Sequence, residues 1–182
     1  MFTVYLVLLG ILAFFLAALV LGVWLRAHRT KENAERSSRV MHFFFFAGEI
    51  APPLVAIFYP GLTRFDALLG LPSLPFQPFM LALGILLAIP GLYFMGVTNK
   101  LLRALGSGTN AFILTKKIVD DDLYKRTRNP MSLGFYLCAL ALAFASSSTF
   151  VLVAASLGLI PAHLFFLKYF EELELELRFG ES

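Results

Sequence analysis

Apolar residues fall along the chain in five long runs separated by short polar stretches: Phe2–Leu25, Val40–Tyr59, Phe76–Val97, Met131–Ala145 and Phe150–Phe170. Only helices and closed barrels satisfy the backbone in lipid, and these runs are too long and too continuous for barrel strands. The pattern therefore predicts an all-α membrane protein with five transmembrane helices. The last two are joined by "SSST", which leaves room only for a tight helical hairpin. The first run exceeds a signal-peptide core and has no basic stretch before it, so it is read as a retained span. Pro52-Pro53, Pro90 and Pro161 lie within runs and predict kinks, because each lacks a backbone donor. The tail "EELELELRFG" alternates Glu and Leu, which suits a strand or a helix by period. A helix is preferred, since both residues are good helix formers and Gly180 can end it.

Composition agrees with the pattern. Of 182 residues, 59% are apolar and 15% charged, against roughly 45–50% and 25% in ordinary soluble domains. A net charge of +3 gives a nucleic-acid partner little to rest on; the expected partners are membrane lipids. The single cysteine, Cys138, permits no internal disulfide and no cysteine-rich metal site, and is read as packing. Every Lys and Arg except Arg64 falls in the first connection, the third connection or the C-terminal region. Five spans put those three segments on one face. The positive-inside rule then places the N-terminus outside and the C-terminus in the cytoplasm. No internal repeat is present, and residues 1–182 are read as a single membrane domain. Residues 1–97 form three N-terminal spans, and residues 98–182 hold the third connection, the hairpin and the acidic tail.

Some polar residues need a reason. Glu49 sits mid-span in "FFFFAGEIAPP", and His163 follows Pro161 in the fifth run. An ionisable group at that depth is a functional candidate by default; the plainer reading is a hydrogen-bonded packing residue. Both are carried as candidate substrate-binding residues. Gly106-Ser107-Gly108 gives a backbone that can approach a ligand closely, although a lone G-x-G is more simply a loop. In "LYKRTRNPMSLG", Lys125, Arg126 and Arg128 crowd against the start of an apolar run. They either anchor a helix end at lipid phosphates or hold an anionic ligand.

Together these stretches resemble the isoprenylcysteine carboxyl methyltransferase and phospholipid methyltransferase family. "LYKRTRNPMSLGFYL" is similar to its Y-x-x-x-R-[HN]-P-x-x-x-G signature, through Tyr124, Arg128, Asn129, Pro130 and Gly134. "EELELELRFG" is similar to its E-E-x-x-L-x-x-x-F-G segment, through Glu171, Glu172, Phe179 and Gly180. The Gly106–Gly108 pair resembles the one that phospholipid methyltransferases place before the arginine signature. The resemblance runs from Leu101 to Gly180. Asn129 stands where prenylcysteine enzymes typically carry His, which weakens that substrate assignment.

The resemblance implies a membrane-bound methyltransferase using S-adenosylmethionine on the cytoplasmic side, with the active site facing the cytoplasm. Its acceptor would be lipophilic, either a prenylcysteine-like carboxylate or a lipid amine. By position, Gly106, Gly108, Tyr124, Arg128, Asn129, Pro130, Gly134, Glu171 and Glu172 would bind the cofactor, with Arg128 and Glu172 as catalytic residues. The residue types suit the chemistry. Arg128 can fork onto a carboxylate with two charge-assisted bonds, and a carboxylate can accept from an ammonium or from ribose hydroxyls. An amine acceptor must lose a proton, so a Glu would serve as general base. Two other readings stand beside this one: an NADPH-dependent sterol-type membrane reductase, and a non-catalytic membrane scaffold subunit. No metal is expected.

Overall fold

The computed structural model describes residues 1–104, Tyr124, Thr127 and residues 129–180. The regular elements among them are all helical. They are α1 (Phe2–Ala27), α2 (Lys31–Phe58), α3 (Phe65–Leu69), α4 (Gln77–Ala104), α5 (Pro130–Ala145) and α6 (Thr149–Phe179). Four of them, α1, α2, α4 and α6, are long and apolar enough to cross a membrane. The fourth apolar run gives a shorter helix: α5 has 16 residues, below the roughly 20 that span a hydrocarbon core. Its bounds are local. Pro130 occupies the first turn, where its missing N–H costs nothing, and Ser146 begins the turn that ends it.

Two helices run beyond their apolar stretches. Helix α2 starts at Lys31 rather than Val40, because Thr30 caps the polar segment by accepting from the Asn33 amide at 3.2 Å. Helix α6 continues through the acidic tail, so its 31 residues rise about 46 Å, well beyond a bilayer core. The Glu-Leu alternation is therefore helical. Gly180 ends the helix at φ +85°, a conformation glycine adopts without strain.

Prolines leave their mark in two places. A π-helical turn, Phe45–Ile50, precedes Pro52-Pro53, and another, Ala154–Leu159, precedes Pro161. A proline clashes with the carbonyl four residues back, and a widened turn relieves that clash. Pro90 instead sits inside α4 with the helix unbroken.

The described residues pack as two compact units. One comprises Met1–Phe65 with Ser156–Ser182. Its core joins Phe14, Ala18 and Leu25 of α1 to Ala34 and Met41 of α2 and Phe170 of α6. Helices α1 and α2 touch at Gly10 and Gly48: a Cβ on Gly10 would lie 2.6 Å from the Gly48 carbonyl oxygen. Close approach at small residues is how helices gain contact in lipid, where no hydrophobic force separates them from the acyl chains.

The second unit comprises Asp66–Ala155. Here α4 and α5 run antiparallel along a seam of small residues. Gly84 faces Ala141 and Ala145, and Gly91 faces Gly134 and Cys138. Cys138 is thus a packing residue in this seam. The turn after α5 spans only Ser146–Ser148, as the "SSST" motif required. The same unit buries Asp66. Its carboxylate accepts from the Thr149 and Phe150 amides at 2.9 and 2.8 Å and from the Ser148 hydroxyl at 3.1 Å. This acid, far off in sequence, caps the start of α6 where the helix dipole is positive.

Candidate functional site

Glu49 and His163 belong to the same unit and meet. Glu49 projects from the π turn of α2, and His163 from α6 just past Pro161. His163 Nδ1 and Glu49 Oε2 lie 2.7 Å apart, sharing a proton, with both residues buried. Phe14 stacks on the imidazole at 5.8 Å, and Phe45 and Phe166 meet it edge-on at 5.5 Å each. The other carboxylate oxygen, Glu49 Oε1, has no hydrogen-bond partner among the described residues. Both features expected of an intramembrane ionisable residue are present: a named partner and a protein-facing environment.

The acidic tail carries the second cluster in this unit. Glu172 and Glu176 line a cleft of about 460 Å³ together with Arg26, Arg29, Lys168 and Leu173. Arg26 is held in place from several sides. It donates to the Gly22 carbonyl at 2.9 Å and to the Tyr169 carbonyl at 2.8 Å, and its guanidinium lies 3.8 Å over the Tyr169 ring. That stack needs Gly22, since a Cβ there would come within 2.7 Å of the Tyr169 ring. Arg29 pairs with Glu176 at 2.9 Å. Behind the cleft, Arg178 donates to buried Glu174 at 2.6 Å, one helical turn apart. Glu171 ends a third π turn, Leu167–Glu171, and Glu172 follows it. Such turns recur at functional sites because they re-aim side chains.

Of the arginine signature, the structure describes Tyr124, Asn129, Pro130 and Gly134, all in the second unit. Asn129 is the N-cap of α5, its side-chain oxygen accepting from the Ser132 amide at 3.1 Å. Pro130 is buried at the first helical position. Gly134 lies in the α4–α5 seam, where a Cβ would come 2.7 Å from the Gly91 carbonyl oxygen. Each therefore has a local structural task in addition to any ligand contact. Tyr124 is half-buried. Gly106, Gly108 and Arg128 lie outside the described residues.

The structure thus brings Glu49 to His163, and places Glu172 in a cleft with Arg26 of α1 and Arg29 of the connection after it. Those cations were read from sequence only as topology determinants. The Asn129-Pro130 pair ahead of an apolar run was a recognisable cap-and-start signal. No sequence signal joined Arg26 to Tyr169, or Asp66 to the start of α6.

A family model described as phospholipid methyltransferase matches residues 79–182, which is α4 onward. No curated protein matches, and no solved structure matches. With more than half its length inside that match, the chain belongs to the phospholipid methyltransferase family, within the isoprenylcysteine and phospholipid group of membrane methyltransferases.

Proposed function

We propose that the protein is an S-adenosylmethionine-dependent methyltransferase acting on a lipid amine at the cytoplasmic face of the membrane. Five crossings are part of this reading, with α5 as the short one and the N-terminus outside. The family match carries the reaction class, and the charged cleft favours the acceptor. Arg26, Arg29 and Lys168 stand on its walls with Glu172 and Glu176. A bare carboxylate acceptor would engage only the cations there and leave Glu172 unmatched. An amine beside an anionic group suits both signs, and the cleft's volume is within the usual range for ligand sites.

S-adenosylmethionine would supply a methyl group already activated by its sulfonium. The fit to this chain rests on groups of the kinds its parts require: the cleft carboxylates Glu172 and Glu176 as acceptors for an ammonium or ribose hydroxyls, and the signature's arginine as a donor to its carboxyl group. Arg128 holds that carboxyl group by a forked pair of bonds. Asn129, Pro130 and Gly134 shape the start of α5 around it, with Tyr124, Gly106 and Gly108 on the connection before. Glu171 accepts from the donor's ammonium. Glu172 would take the proton that the acceptor amine loses, freeing the nitrogen lone pair to bond the methyl carbon in line as its bond to sulfur breaks and the neutral thioether leaves. The protein's remaining work is alignment and exclusion of water. Glu49 and His163 are assigned to the acceptor, with the unpaired Glu49 Oε1 open to one of its polar groups at bilayer depth.

Incubating membranes that contain the protein with methyl-labelled donor, then extracting lipid, tests this reading. Label is expected in the amine-lipid fraction, and Arg128→Lys should abolish it while the variant still inserts. Label in protein alone would shift the acceptor to a prenylcysteine. Label nowhere, with NADPH binding by calorimetry, would replace the reaction with reduction.

A further inference from the structure

Heptad spacing places one hydroxyl in the small-residue seam of the second unit. Gly84, Gly91 and Thr98 are the buried positions of one row on α4. Gly84 meets Ala141 and Ala145, and Gly91 meets Gly134 and Cys138, so each heptad forward on α4 is a heptad back on α5. Continued once more, that register sets Thr98 opposite Met131, in the first turn of α5 after Asn129-Pro130. Met95, one turn before Thr98, already lies against Gly134.

Thr98 is fully buried, at 0% exposure. Its Oγ1 has no hydrogen-bond partner among the described residues, and neither does Oδ1 of the adjacent Asn99. A threonine inside a helix ordinarily bonds the carbonyl one turn back. This one does not, and buried polar atoms left unpaired are destabilising unless something else supplies the bond. Nor can the signature's cap supply it, because Asn129 Oδ1 is already engaged with the Ser132 amide. Two neutral acceptor oxygens on neighbouring residues thus remain unpaired: Thr98 Oγ1 on the row that faces α5, and Asn99 Oδ1 one position further along α4.

We propose that Thr98, with Asn99, completes the donor site by accepting the two ribose hydroxyls of S-adenosylmethionine. This rests on the methyltransferase reading and adds residues of α4 that the arginine signature does not contain. The ribose is the part of the donor that fits. Its vicinal diol offers two O–H donors side by side, whereas the adenine offers one amine. The amino-acid end carries full charges that neutral oxygens do not balance.

Calorimetry with S-adenosylhomocysteine on the purified full-length protein tests it. Thr98→Val keeps the shape and removes the hydroxyl, and should weaken binding at least tenfold. Thr98→Ser should bind within about threefold of the native protein. The acceptor KM should not change, and the thermal midpoint of Thr98→Val should hold or rise, since a methyl suits the seam better than an unpaired hydroxyl. The native protein, with no substitution, should lose a similar factor for the 2′,3′-dideoxy analogue. Thr98→Val, which keeps only the Asn99 acceptor, should lose a clearly smaller factor on that change. Equal binding by native protein and Thr98→Val, or equal binding of both nucleosides by the native protein, overturns the inference and leaves the methyltransferase reading intact. Failure of the native protein to bind S-adenosylhomocysteine at all removes both.

Discussion

Glu49 and His163 show what a carboxyl and an imidazole require at membrane depth. Neither could be left alone among Phe14, Phe45 and Phe166. Their contact spans 114 positions of sequence, so it acts as a tie between α2 and α6 as well as a polar feature. Removing one partner of a buried pair strands the other, at a cost of about 3–5 kcal/mol in well-buried cases. We expect Glu49→Leu and His163→Leu each to lower the thermal midpoint in detergent. The double variant should lose less than the two single losses together, by about 1 kcal/mol or more of coupling. Additive losses would mean that the two residues act independently and that their approach does no joint work. Sequence supplied both residues as candidates, because each interrupts an apolar run. It could not pair them: the register that aligns Glu49 with His163 depends on π turns ahead of Pro52 and Pro161, which shift the phase of each helix.

At the scale of elements, the apolar runs and their tight final turn were legible because lipid imposes a length and the backbone imposes a helix. What escaped reading was set by polar residues at helix ends. Thr30 carries α2 back to Lys31, whereas the helical Glu-Leu tail ended by Gly180 was legible from its residue types. The clearest such device is Asp66, which accepts three hydrogen bonds at the start of α6 from its place beside α3. Ser148 also caps the same helix locally, donating to Asp66 while accepting from the Val151 amide at 3.3 Å. Asp66→Ala should remove the shared acceptor and leave two buried amides unpaired. Loss of a cap ordinarily destabilises by roughly 0.5–2 kcal/mol, and the upper end is expected here because Asp66 is buried. A lowered thermal midpoint with unchanged S-adenosylhomocysteine affinity is the expected result. Loss of affinity at full stability would give Asp66 a different role. Asp66 was unreadable from sequence because an aspartate in a short connection has many ordinary uses, and its partners lie more than eighty positions away.

For the whole molecule, the question is which ends share a side of the membrane, and each unit supplies an independent constraint. In one, Arg29 pairs with Glu176, so the connection between α1 and α2 lies at the finish of α6. In the other, Asp66 and the Leu74 amide bind the Ser147–Thr149 turn, so the connection before α4 lies at the start of α6. The proposed five crossings are consistent with both constraints. Under that proposal, positive charge orients the end that carries Arg26, Arg29 and Lys168 toward the cytoplasm. The exposed positions Glu32 and Ser73 mark the two ends. In a Cys138→Ala background, Ser73→Cys should react with an impermeant maleimide in sealed right-side-out vesicles, whereas Glu32→Cys should react only after permeabilisation. The reverse pattern would turn the charged cleft outward, away from any cytoplasmic supply of methyl donor. Reaction at both positions in sealed vesicles would mean that α2 does not cross, and the short α5 could not then be counted as the crossing that makes the number odd.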